Sequence, residues 1–110
     1  MRALFSLPLA LLLGCSSFAA PSSIDGYSIT FDEPANDVHN TWTFSADTAT
    51  LDGGAVEAGY SYSADGSHST LTLDVQGDDV YEMTWSSADG GSCTESFEGS
   101  APANCTFTVE

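Results

Sequence analysis

YSYSADGSHSTLTLDVQGDDVYEMTWSSADGG, residues 60–91, runs apolar–polar with a period of two through three successive segments separated by turns. Tyr60 and Tyr62 share one face, Leu71, Leu73 and Val75 the next, and Tyr81, Met83 and Trp85 the third. Thr, Ser, Asp and Glu occupy the other positions. Side chains that alternate in this way belong to strands buried on one side only. Asp65-Gly66 lies between the first two runs and Asp89-Gly90-Gly91 ends the third. Asp-Gly tolerates the positive φ that hairpin turns require, so the stretch reads as an antiparallel meander.

The same period continues in both directions. Tyr27, Ile29 and Phe31 share a face in YSITFD, as do Trp42 and Phe44 in TWTFS. Val56 and Ala58 extend the Tyr60 face towards the N-terminus, and Cys105, Phe107 and Val109 close the chain. Asp52-Gly53-Gly54 and Gly77-Asp78-Asp79 supply two more turns. No helical periodicity of useful length follows residue 24. The pattern predicts an all-β fold: a small antiparallel meander of seven to eight strands closing as a barrel or sandwich.

The N-terminus reads differently. MRALFSLPLALLLG carries one charge, Arg2, and then an apolar run from Ala3 to Leu13. That run is too short to span a bilayer and has the length of a signal-peptide core. Leu12-Leu13-Gly14-Cys15 resembles the lipobox of bacterial lipoproteins, which implies cleavage before Cys15 and acylation of that residue. Ser16 in second place implies sorting to the outer membrane. On this reading residues 1–14 are a signal peptide, 15–24 a lipidated tether and 25–110 an acidic β domain. The other reading is ordinary cleavage after Ala19, with Ser17 and Ala19 as the small residues of the site, giving a periplasmic or secreted protein.

Cysteine parity bears on the choice. Cys93 and Cys105 can pair in an oxidising compartment, which leaves Cys15 over, and either acylation or removal accounts for it. A Cys93–Cys105 bridge would stabilise a domain of this size by about 3 kcal/mol. Residues 60–91 also resemble a unit of small calycin-like (MoaF-like) β domains of bacterial surface proteins. That resemblance implies the fold and carries no functional residue.

Charge excludes several function classes. After Arg2 the chain has no Lys or Arg, while all 16 acidic residues lie between Asp25 and Glu110. Nucleic acid, phosphate clamps and polybasic contact with lipid headgroups all require cationic side chains that are lacking. Membrane attachment would come from acyl chains alone. The partners that remain are an envelope protein and neutral or cationic ligands, and so acidic a surface favours a monomer.

Candidate chemistry is sparse. Asp32, Glu33, Asp37 and His39 fall within eight residues on a loop around Pro34, a donor set that suits Ca²⁺ without matching a known spacing. Tyr60, Tyr62 and Trp85 are aromatic residues able to line a pocket or fill a barrel. Glu95 breaks its own pattern, because it alternates with Cys93 and Phe97 and should face inward. A bulge or a place at the barrel mouth would spare it unpaired burial, and a cavity position would raise its pKa. No G-x-S-x-G, H-E-x-x-H, C-x-x-C or Gly-rich phosphate loop occurs. The expected function is therefore non-catalytic: a binding or structural module of the cell envelope, held at the outer membrane, with a small-ligand or Ca²⁺-binding barrel as the alternative.

Overall fold

The computed structural model describes residues 18–110; the predicted signal peptide and Cys15 lie outside the described residues. Eight strands form the domain: β1 (Ser28–Glu33), β2 (Val38–Phe44), β3 (Thr48–Leu51), β4 (Val56–Asp65), β5 (His68–Asp74), β6 (Asp78–Ser87), β7 (Gly90–Phe97) and β8 (Ala103–Val109). Each pairs antiparallel with its neighbour in sequence, and β1 pairs with β8, so the sheet closes as a barrel rather than a sandwich. Closure leaves no edge strand for another chain to extend.

Most inward residues are those that the period of two selects; Val56 and Phe97, which the same period turns inward, lie at strand ends and are 42% and 43% exposed. Ile29, Phe31, Trp42, Phe44, Ala58, Leu71, Leu73, Tyr81, Met83, Trp85 and Phe107 are all buried. Phe31 stacks on Tyr81 with ring centroids 4.0 Å apart, and Trp85 meets Phe107 edge-on at 4.8 Å. Trp85 Nε1 donates to Ser69 Oγ at 2.9 Å, which satisfies the one polar atom of the buried indole. Cys93 and Cys105 stand directly opposite on β7 and β8, with Cα atoms 4.9 Å apart, and form the expected disulfide.

Outside, the wall is hydroxylic. Thr43, Thr84, Thr106 and Thr108 are exposed. Ser28 bonds Thr43 across the β1–β2 pair at 3.1 Å, and Thr30 bonds Thr41 at 2.7 Å. An apolar interior within a polar wall is the reverse of a membrane-spanning barrel, whose outer band is apolar.

Two departures from the sequence reading concern the turns. Asp78 and Asp79 belong to β6 and Gly90 and Gly91 to β7, rather than to turns. The β6–β7 pair accommodates this with a bulge between Trp85 and Ser87. A Cβ at Gly91 would run into the carbonyl oxygen of Thr84, so the bulge brings backbone against backbone where only glycine fits.

A third departure corrects the tether. Residues 20–24, expected as part of a free linker, are laid across one end of the barrel. Ala20 N donates to Gly66 O at 2.7 Å, and Tyr62 Oη donates to Pro21 O at 2.8 Å. Ile24 is only 1% exposed and is part of the core. The physical reason is that an eight-stranded barrel has two open ends, and Ile24 fills this one while the backbone of Ala20 and Pro21 finds partners on its rim. The folded unit thus begins near Ala20, not at Asp25.

Gly91→Ala is expected to lower stability by about 3 kcal/mol or more, because backbone must move to admit the methyl group. Gly59→Ala, where a Cβ meets nothing within 4 Å, should change stability by no more than about 0.5 kcal/mol. Urea denaturation of the two variants measures both, and a Gly91→Ala protein as stable as the wild type would contradict the backbone contact.

Candidate functional site

The barrel's two ends are chemically distinct. The end that residues 20–24 cover holds Ile24, Phe44, Tyr60, Tyr62 and Trp85. At the other, which we call the mouth, β1, β6 and β7 bring Glu33, Asp79 and Glu95 together from the inward face. Glu33 continues the Ile29–Phe31 face of β1 and is only 2% exposed. Asp79 continues the Tyr81–Met83–Trp85 face of β6. Glu95 lies opposite Tyr81 in the β6–β7 register.

Local structure fixes the Glu33 carboxylate. Pro34 begins a short 3-10 turn at Pro34–Asn36, where its missing N–H costs nothing. Asp37 ends the turn in the left-handed region, at φ 54°, and its N–H bonds Pro34 O. Asn36 is thereby turned back, and its Nδ2 donates to Glu33 Oε1 at 2.9 Å.

The three carboxyl groups interact through shared protons. Burial raises the Glu33 pKa above its ordinary value, and the charge of Glu95 raises it further. Burial lifts Glu95 to about 7, helped by its hydrogen bond to Asp79 and by the Asp79 charge. Burial also raises Asp79, with a contribution from the charge of Glu33. Contact with Glu95 raises Glu33, and contact with Asp79 raises Glu95, so each carboxyl group holds its neighbour's proton more tightly. Asp79 Oδ1 is buried and meets no N–H, amide or alcohol donor. The phenol of Tyr81 sits beneath the cluster, and burial pushes its pKa up, so it stays neutral.

Asp79 also forms part of a cleft of about 440 Å³ at the mouth. Trp42, Leu51, Val56 and Val75 give it apolar walls, and Glu57, Asp74 and Gln76 complete it. A larger groove of about 490 Å³ crosses the outer wall along His68, Glu82, Thr84, Ser92, Thr94 and Asn104. Its hydroxyls are open to water, and Glu82 is already bonded by Thr70. The mouth is therefore the better candidate.

The predicted site residues are only partly brought together. Asp32 and His39 face outward as a pair, with Nδ1 and Oδ1 2.5 Å apart, and Asp32 raises the pKa of the exposed imidazole. Glu33 faces inward and Asp37 is committed to the turn, so the four residues considered for Ca²⁺ do not converge. The reason is the strand itself: Asp32 and Glu33 are consecutive on β1 and must point to opposite faces. Among the described residues no group of three His, Cys, Asp or Glu side chains is placed to hold a metal ion. Glu95 is at the mouth, whereas Tyr60, Tyr62 and Trp85 are at the covered end, so these four form no common pocket. Trp85 is core, and Tyr60 bonds the carbonyl of Ser45.

Glu33 as a partner of Glu95 and Asp79 as a mouth residue were not read from the sequence. Both carry a legible signal, since each extends by one step the inward alternation that ends at Phe31 or begins at Tyr81. No family model, curated protein or solved structure matches the chain.

The folded state holds these protons to higher pH than the unfolded chain does. Their stabilising contribution is complete below the ordinary glutamate value of 4.5 and is lost as pH rises through about 7. Unfolding free energy is accordingly expected to fall between pH 5 and pH 8. Glu95→Gln should flatten that dependence by about 1–2 kcal/mol, a figure reduced for the partly open mouth. Urea titrations at the two pH values test this; equal slopes in wild type and variant would refute the shared-proton cluster.

Proposed function

We propose that the protein is a lipoprotein of the outer membrane, anchored by acyl chains on Cys15, whose barrel is a non-catalytic binding module. Its mouth takes a cationic group carried beside an apolar one, such as the side chain of a lysine or arginine flanked by an aliphatic residue in an envelope protein. The observation that carries this reading is the buried Oδ1 of Asp79, which no N–H, amide or alcohol donor satisfies, in a cleft walled by Trp42, Leu51, Val56 and Val75. With no Lys or Arg after residue 2, a counter-charge for the mouth has to come from a partner or from protons.

The interior favours binding at the surface over carriage of a ligand inside, because aromatic and aliphatic side chains fill the barrel. The carboxyl groups favour binding over catalysis. Glu33 and Asp79 lie close enough to Glu95 to perturb its titration, instead of facing it across a space where a substrate could react. An ammonium or guanidinium group suits the cleft better than Ca²⁺, which needs six or more oxygen ligands arranged around it.

Intact-mass analysis of membrane-fractionated protein should find acyl mass on Cys15, and Cys15→Ser should release the protein from the membrane. A mature chain beginning at Ala20 without added mass would sink the anchor. For the mouth, NMR titration with an acetylated Leu-Lys-Leu peptide should shift Val56, Val75 and Gln76 selectively at 0.15 M NaCl. Asp79→Asn should weaken that response about tenfold. Shifts spread evenly over the acidic surface, or a response unchanged in the variant, would count against the cleft.

A further inference from the structure

We propose that the barrel stands on the membrane in a fixed sense, with the end covered by residues 20–24 against the lipid headgroups and the carboxylate mouth directed away from them. The inference rests on acylation of Cys15 and concerns what the docked segment adds to it. Ala20 is bonded to the rim at Gly66, and Pro21 to Tyr62. Only four residues, Ser16 to Ala19, therefore separate an acylated Cys15 from a point fixed on the barrel. The five steps from Cys15 to Ala20 reach at most about 18 Å when fully extended. The longest strand, β4, has ten residues, which at about 3.3 Å each and a barrel tilt gives a height of roughly 25 Å. The tether thus holds the covered end near the bilayer and is too short for the barrel to stand inverted on its mouth.

Two further features act in the same sense. Phe18, between Cys15 and the docking point, is 39% exposed, one of three large apolar side chains so placed among the described residues. It lies where an apolar ring can enter the interface beside the acyl chains. Charge is also unequal between the ends. Glu33, Asp37, Asp52, Glu57, Asp74, Asp78, Asp79, Glu95 and Glu98 lie at or near the mouth, and Asp25, Asp47, Asp65, Asp89 and Glu110 at or near the covered end. An anionic lipid surface repels both, and repels the mouth more strongly.

The test uses the acylated protein in nanodiscs of phosphatidylethanolamine and phosphatidylglycerol containing a gadolinium-chelating headgroup lipid. Paramagnetic relaxation of backbone amides reports distance from the headgroups. Enhancement at Asp47, Gly66 and Asp89 is expected to exceed that at Gly53, Gly77 and Ser100 at least tenfold. Inserting ten Gly/Ser residues between Ser17 and Phe18 should reduce that ratio several-fold. Equal enhancement at both ends, or a gradient unaffected by the insertion, overturns the orientation while the anchor stands. Protein without acyl mass that fails to stay with the disc overturns the anchor and the orientation with it.

Discussion

The pairing of β1 with β8 is the constraint on which the molecule depends. It converts a meander, which would expose two sheet edges and half of its apolar face, into a ring with a dry interior. Ile29 opposite Val109 and Phe31 opposite Phe107 set the register. That register in turn places Phe31 over Tyr81 and carries Glu33 towards Glu95. The disulfide on the next pair fixes β8 to β7 from inside, so the closing strand is held on both sides. A carboxyl cluster assembled from β1, β6 and β7 exists only because the first strand and the last ones have become neighbours.

Most of the fold was legible because its signal is local. The inward faces of seven strands follow from alternation, except at the strand ends Val56 and Phe97, which are exposed, and Asp-Gly pairs mark several of the hairpins. β3 escaped this reading because four residues, TATL, are too short to establish a period. Closure as a barrel rather than a sandwich is a property of the whole ring and leaves no trace in any one segment. The docking of residues 20–24 was hidden for a different reason. Pro, Ser and Ala give the composition of a linker, and the single Ile24 that fills the barrel end carries no periodicity with it.

The candidate site shows where a sequence pattern stops being informative. Glu95 stood out because a charge interrupted an inward run between Cys93 and Phe97. Glu33 and Asp79 stand in the same relation to their strands, but each falls at a strand end, next to Pro34 or just after Gly77-Asp78, where acidic residues are ordinary turn formers. The Asp32–His39 loop failed as a ligand set through the same alternation that revealed the barrel. Neighbouring acids on a strand are separated by the sheet, whereas acids from distant strands meet at its rim.

The hydroxylic wall has an electrical consequence. Between the two acidic ends runs a belt of Thr and Ser whose groups pair with one another, Ser28 with Thr43 and Thr30 with Thr41. Apart from Asp32 and Glu82 on the wall, the carboxylates gather at two caps separated by roughly a barrel height. At physiological ionic strength the Debye length is about 8 Å, so each cap is screened from the other by about three such lengths. The proton occupancy of the mouth is therefore set by the carboxyl groups gathered there and not by those of the covered end.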